Sequence, residues 1–343
     1  MKYKKISITF LLFGAIFALI AKTEAVTHAC KSALSLCVTS VIPALFPFFV
    51  LTGLMVNTGV VMLLGKMLSP ISNKLFKTSG TGAVVFIIGI LCGYPTGAKV
   101  ISDLCLNGKL TKDEGERLLA FCNNSGPLFV IGAVGAGMLG NKDLGILLYC
   151  IHAVSAVITG MFLSLFAKKQ ENKVRVDVDA VSLGEAFTQS VESAVKSILN
   201  VCGYVVFFGC FLSVVSPYIP SLFVKSLFEV TVGAKDIVSS GLLSEQILTL
   251  LSGTIGFGGL CVYFQVRGAV AKAKLSTVCY LFGKLSQMTV SMAIMKIYLY
   301  MNRDILTFAQ RSVARTSFHI SYVVLFAFLL CALFTFRRLT KKT

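Results

Sequence analysis

Uncharged runs dominate the chain. Ser32–Gly65 holds 34 residues without a charge, Ser197–Val224 holds 28, and Leu118–Asn141 and Leu144–Ala167 hold 24 each. Thr78–Ala98, Gln246–Val266 and Thr316–Phe336 hold 21 each, and Ile6–Ala21 adds a shorter run of 16. A helix needs about 20 apolar residues to cross the hydrocarbon core of a bilayer. The pattern therefore predicts an all-α, polytopic transmembrane helical protein, because only helices or closed barrels satisfy their backbone groups in lipid.

Cations bracket these runs: Lys2, Lys4 and Lys5; Lys66, Lys74 and Lys77; Lys168, Lys169, Lys173 and Arg175; Arg337, Arg338, Lys341 and Lys342. Placing them on the cytoplasmic side gives about eight spans: Ile6–Ala21, Val41–Leu64, Leu118–Asn141, Leu144–Ala167, Ser197–Ser216, Ser244–Val266, Leu275–Tyr300 and Phe318–Phe336. Glu24–Ser40 becomes an amphipathic stretch outside, and both termini and the polar loop Ala167–Ser182 lie inside. Two segments suit re-entrant hairpins, Thr78–Lys99 from inside and Pro217–Gly241 from outside. Arg303, Arg311 and Arg315 fall outside in this arrangement, against the rule.

The two halves echo one another in order. Thr96-Gly97-Ala98-Lys99 is matched by Val232-Gly233-Ala234-Lys235, and Gly126-Pro127-Leu128-Phe129-Val130 by Gly258-Gly259-Leu260-Cys261-Val262. The first unit enters from outside and the second from inside, so the repeat is inverted, a mark of secondary transporters. The expected division is 1–40, an N-terminal span and amphipathic segment; 41–167, a first gate-like repeat; 168–195, a polar linker and helix entry; 196–318, a second gate-like repeat; and 319–343, a last span and basic tail.

Composition sharpens the class. Charged residues are 14% of the 343, against about 25% in ordinary soluble domains. This excludes a soluble enzyme, a disordered tail and a disulfide-stapled secreted domain. The net charge of +17 sits at the ends of apolar runs and forms no basic stripe with exposed aromatics, so nucleic acid is not an expected partner. The bilayer is, and a homo-oligomer stays open. The 11 Cys form no C-x-x-C pair, and with three scattered His they offer no metal site. Lys2–Lys5, the apolar stretch and Thr23-Glu24-Ala25 imitate a signal peptide, and are read as an uncleaved first helix.

Candidate chemistry lies where polar residues interrupt the runs. In Phe121-Cys122-Asn123-Asn124-Ser125-Gly126-Pro127-Leu128, Pro127 removes a backbone donor and Gly126 loosens the chain. Freed backbone in a membrane must line a cavity or be buried in protein, and Asn123, Asn124 and Ser125 would then offer donors and acceptors to a polar solute. The alternative is a polar helix end at the interface. Gly93-Tyr94-Pro95-Thr96-Gly97-Ala98-Lys99 cannot continue a regular helix, and a helix starting after Pro95 would present N–H groups to an anion. Tyr94 and Lys99 belong to that candidate site, against a plain turn with Lys99 reaching the interface. Lys284 is the one charge between Lys274 and Lys296, with Gln287 a turn away; mid-membrane charge favours a cavity, and a shifted span is the alternative. Gly135-Ala136-Gly137-Met138-Leu139-Gly140 matches a dinucleotide fingerprint by letter only and reads as helix packing, since no strand precedes it. His152 reads as a hydrogen-bonded core histidine. No catalytic group and no cofactor are expected.

Pro43-Ala44-Leu45-Phe46-Pro47-Phe48, Gly93–Lys99 and Cys122–Phe129 resemble the YlbJ-type sporulation integral membrane proteins, within the nucleoside-recognition gate-domain family. The resemblance covers most of the chain and is strongest over Ser40–Val134. It implies an integral protein of a bacterial cell membrane, the outer forespore membrane of an endospore former, that moves dipicolinate toward the spore. Dipicolinate is a small planar dianion, and Lys99, Lys284, Asn123 and Asn124 are the donors expected around it. Two other readings remain: a nucleoside or other metabolite transporter of the gate fold, and a non-transporting scaffold of the spore envelope.

Overall fold

The structure is a computed structural model, and it describes residues 2–167, 182–219 and 221–302. The expected span Phe318–Phe336, the basic tail, Arg303, Arg311, Arg315 and residues 168–181 of the polar loop lie outside the described residues. Those described form helices and turns with no strand among them. Five helices are long and apolar enough to cross a membrane, or six if one bent pair counts as a span.

Helix α1 covers Lys2–Ala21, and α2 (Thr23–Leu36) continues through a π-turn, Cys37–Val41, into α3 (Ile42–Asn57). Thr23–Asn57 is thus one continuous 35-residue helix. This corrects the expected division into an outside segment and a separate span Val41–Leu64. In a regular helix the Pro43 ring would collide with the carbonyl four residues back, at Thr39. The π-turn sits at that place and widens the backbone. The helix stops instead at Thr58–Gly59, where Gly59 turns left-handed at φ 73°.

Helix α4 (Val60–Phe76) meets α5 (Gly80–Cys92) at 86°. After Gly93-Tyr94-Pro95 comes α6 (Thr96–Leu106), then α7 (Lys112–Cys122). The Thr111 hydroxyl caps α7 by accepting from Glu114 N–H at 3.3 Å. The Glu114 carboxylate in turn accepts from Ser79 N–H at 2.6 Å, tying α7 to the start of α5. The expected single span Leu118–Asn141 is instead two pieces: α7 ends at Cys122, and a π-helix, Leu128–Met138, follows the break. Asn141 caps α8 (Lys142–Ser164), its Oδ1 accepting from Asp143 N–H at 2.9 Å and Leu144 N–H at 3.2 Å.

The second half begins with α9 (Leu183–Val215), 33 residues long. Two short helices follow, α10 (Leu222–Ser226) and α11 (Val230–Val238), in the segment read as the second hairpin. Helix α12 (Ser244–Phe257) breaks at Gly258 before α13 (Gly259–Val270), and α14 (Val278–Met301) completes the described chain.

Helix α7 lies at the centre, with Leu118, Leu119, Ala120, Phe121 and Cys122 all buried. The Phe121 and Phe76 rings pack with centroids 4.9 Å apart, tilted by 34°. One end of the bundle is basic. There Arg117 donates to Lys77 O at 3.0 Å, Lys77 Nζ to Ala167 O at 3.2 Å, and Ser276 N–H to Glu116 Oε1 at 2.8 Å. The opposite end is closed by apolar packing of Met138 and Leu139 with Val238, Ile247 and Tyr298.

Candidate functional site

Two broken helices cross at the centre of the first half. Gly93, left-handed at φ 79°, opens the break between α5 and α6. Asn123, extended at φ −111° and ψ 97°, opens the break between α7 and the π-helix. The breaks meet backbone to backbone: a Cβ on Gly93 would lie 3.0 Å from Gly126 N. The Cys122 carbonyl projects between the flanking helices, where a Cβ on Gly89 would sit 1.7 Å from its oxygen and one on Gly97 2.1 Å. Glycine at 89 and 97 is what lets the carbonyl in.

The three polar residues of the second break take different tasks. Asn123 Oδ1 accepts from Ala98 N–H at 3.4 Å. It thereby occupies part of the α6 N-terminus that the sequence reading offered to an anion. Asn124 Nδ2 donates to Phe121 O at 2.7 Å, which fixes the amide so that Oδ1 faces α14. That oxygen accepts from Lys284 Nζ at 3.3 Å and from Gln287 Nε2 at 3.1 Å. Lys284 Nζ also donates to Gln287 Oε1 at 2.7 Å. Ser125 contributes its backbone, whose N–H donates to His152 Nε2 at 3.0 Å. Accepting there puts the ring proton on Nδ1. Gln287 Nε2 lies 3.3 Å from His152 O and donates to it.

Lys284 is 2% exposed, and Asn124 and Gln287 are fully buried. Among the described residues no carboxylate pairs with Lys284: its acceptors are two neutral amides, and its ammonium stands 6.0 Å from the Tyr280 ring. An ammonium carries three N–H donors, and the two amide bonds leave one to spare. Around it lie more donors without acceptors. Asn123 Nδ2, Tyr94 Oη, Ser125 Oγ, Tyr280 Oη and Thr96 Oγ1 are buried and lack a partner. Tyr94 Oη neighbours Ser125 Oγ, and Tyr280 Oη neighbours Asn123, without reaching good hydrogen-bond geometry.

Six of the seven candidate residues named from the sequence converge here: Tyr94, Asn123, Asn124, Ser125, Lys284 and Gln287. Lys99 does not join them, because its ammonium pairs with Asp103 at 2.7 Å one turn along α6. The i, i+4 spacing of Lys99 and Asp103 was the readable sign of that pair. His152 and Tyr280 were not named as site residues. Their approach depends on packing between α7, α8 and α14, which no spacing along the chain reports.

A second crossing lies in the other half. Leu260 N–H donates to Leu227 O at 2.7 Å and Cys261 N–H to Phe228 O at 2.9 Å, so the start of α13 is held by the break between α10 and α11. Glu229 is buried but engaged, capping α11 through Val232 N–H at 2.6 Å. The two crossings touch: the Tyr94 ring lies 3.6 Å from where a Cβ on Gly258 would be. The echoed Gly126 and Gly258 both fall at breaks, and both Gly-Ala-Lys triplets fall in helices that follow one.

Residues 38–167, which hold the whole first crossing and His152, match the family model described as "Gate: Nucleoside recognition". The chain is 29% identical over 310 residues to the sporulation integral membrane protein YlbJ of Bacillus subtilis (strain 168), an alignment covering 78% of this chain and 76% of that protein. No solved structure matches. The chain is therefore a polytopic helical membrane protein that matches the Gate model over residues 38–167 and is similar to YlbJ over most of its length.

Proposed function

We propose that this protein moves a small anionic solute across a bacterial membrane during sporulation, with dipicolinate at the outer forespore membrane as the solute and place that fit best. One observation carries the reading: a buried ammonium whose acceptors are neutral amides, set among donors that lack acceptors. Such a site is short of negative charge. A mid-membrane cation costs about 2.5–3.5 kcal/mol on insertion scales, and an anion beside it offsets that cost. Dipicolinate brings two carboxylates, enough for the spare Lys284 N–H and for the hydroxyls of Tyr94, Ser125 and Tyr280. Lys99 is left out, since Asp103 already neutralises it.

The site is sealed, so passage needs it to open alternately to each side. The two crossings, each made of a short hairpin and a broken helix, support the inverted-repeat reading and the rocking motion such repeats allow. A nucleoside would use the amides of Asn123 and Asn124 but leave Lys284 without a counter-charge. A scaffold would have no use for buried unpaired donors. The test is the dipicolinate content of spores lacking this protein. A severe deficit, restored by the wild-type gene, supports the reading; normal content with impaired nucleoside uptake transfers it to the nucleoside transporter.

A further inference from the structure

Helices α2 and α9 lie side by side and antiparallel, and two pairs of cysteines face each other across them. Toward the start of α2, Cys210 Sγ lies 3.8 Å from Val26 O, the carbonyl one helical turn before Cys30. Farther along, Cys37 Sγ lies 4.0 Å from Cys202 O. Between the pairs a Cβ on Gly209 would sit 3.4 Å from the Ala33 Cβ. The bare glycine lets the backbones approach closely, as a disulfide requires, with Cα atoms about 4.4–6.8 Å apart. All four thiols are free in this structure.

The surroundings of the two pairs differ. Cys30 is half-buried on the polar start of α2, beside Lys31 and near His28 and Glu24. Cys210 is half-buried as well. Cys37 is 2% exposed and lies inside the uncharged run that begins at Ser32. At 1.5 Å per residue it is about 10 Å farther along the helix. Cys202 is half-buried like Cys30 and Cys210, but its partner Cys37 is closed off, so a reagent reaches both thiols of the first pair and only one of the second. The Cys30 end is also the one that the cation pattern places outside the cytoplasm, where disulfides persist.

We infer that Cys30 and Cys210 are a dithiol modification site that closes to a disulfide by exchange with a soluble disulfide, while Cys37 and Cys202 stay reduced. The Cys30 thiolate attacks one sulfur of the oxidant, forming a mixed disulfide and releasing one thiol. The Cys210 thiolate then attacks Cys30 Sγ, and the second oxidant thiol leaves. Two electrons and two protons pass from the protein to the oxidant, which ends as two thiols. The product staples α2 to α9 and fixes the Thr23–Asn57 helix against the second half.

The inference is independent of the solute. Membrane vesicles holding the full chain would be treated with oxidised glutathione, denatured, and labelled with a mass-tagged maleimide, and the disulfide mapped by peptide mass spectrometry. The wild type is expected to lose two of its 11 thiols, with Cys30 linked to Cys210. Cys210→Ser should lose one, held as the Cys30–glutathione mixed disulfide that nothing resolves, Cys30→Ser should form no intramolecular link, and the Cys37→Ser, Cys202→Ser double variant should still lose two. A wild type that keeps every thiol overturns the inference. So does a link mapped elsewhere, a loss of four, or a Cys30→Ser variant that still loses two.

Discussion

Lys284 and Ser125 probe the site from opposite directions. Lys284→Met keeps the length of the side chain and removes its charge. It relieves the insertion cost given above but leaves Gln287 Oε1 without a donor, at about 1–3 kcal/mol, while Asn124 Oδ1 keeps its bond from Gln287 Nε2. The terms nearly cancel, so membrane abundance should stay close to wild type. Loss of one charge-assisted bond to the solute removes about 1.5–3 kcal/mol, so dipicolinate accumulation should fall about tenfold or more. Ser125→Ala removes a hydroxyl that makes no well-formed hydrogen bond in the protein and has only Tyr94 Oη beside it, so stability should change by no more than about 1 kcal/mol while accumulation still drops. Immunoblots of membranes beside spore dipicolinate assays decide it; normal accumulation in both variants places the solute elsewhere. Asn124→Leu is a poorer test, because Asn124 also anchors Lys284. Lys284, Gln287 and Asn124 were legible because a polar group inside an uncharged run stands out. Tyr280 was not, since a tyrosine in an apolar run looks like any other aromatic until its hydroxyl is seen to be buried.

At the scale of elements, the crossing rests on close backbone contact. Gly97→Ala would place a Cβ 2.1 Å from the Cys122 oxygen, with backbone on both sides and no flexible side chain to yield. Overpacking of this kind costs about 1–3 kcal/mol, occasionally more, and this contact belongs at the upper end. Gly132→Ala in the π-helix meets nothing within 4 Å and should be silent. Thermal unfolding of the purified variants in detergent should show a lowered midpoint for the first and none for the second; equal midpoints would mean the crossing is loose. The breaks themselves were readable, since Gly93, Pro95, Gly126 and Pro127 each remove a helical option. Which break crosses which was not, because that is set by packing between segments about thirty residues apart. Pro43 and Pro47 misled in the other direction. They would be expected to interrupt a helix, whereas the π-turn Cys37–Val41 absorbs Pro43 and the helix runs on past the boundary expected at Val41.

For the whole molecule, charge is distributed between two ends. The end that joins Lys77, Arg117, Ala167 and Ser276 also carries Lys74, Lys109, Lys112, Lys272 and Lys274. The positive-inside rule puts this end in the cytoplasm and the loops around Gly140 and Ser240 on the other side. In intact cells, and with the native cysteines replaced by serine, Lys109→Cys and Lys274→Cys should resist a membrane-impermeant thiol reagent, while Ser240→Cys should react. Labelling of all three, or the reverse pattern, would sink this topology and the inverted arrangement of hairpins with it. The expected orientation rests on the cation pattern, because the rule depends on where charges fall along the chain and not on the fold.

The partners of Lys284 are far from it in sequence: Asn124 lies 160 residues earlier, and His152 reaches the same Gln287 from 135 residues before it. This has a consequence for biosynthesis. Chains emerge from the ribosome N-terminus first, so the broken helix with Asn123, Asn124 and Ser125 and the helix bearing His152 are in the bilayer well before α14 is made. Through that interval their polar groups face the membrane interior with nothing from α14 to receive them, and Lys284, arriving late, enters a place already shaped for it. Release of the nascent chain before residue 278 would freeze the earlier condition. Such a fragment, though it holds all of residues 38–167, should be cleared by membrane proteases in a pulse-chase experiment far faster than the full chain.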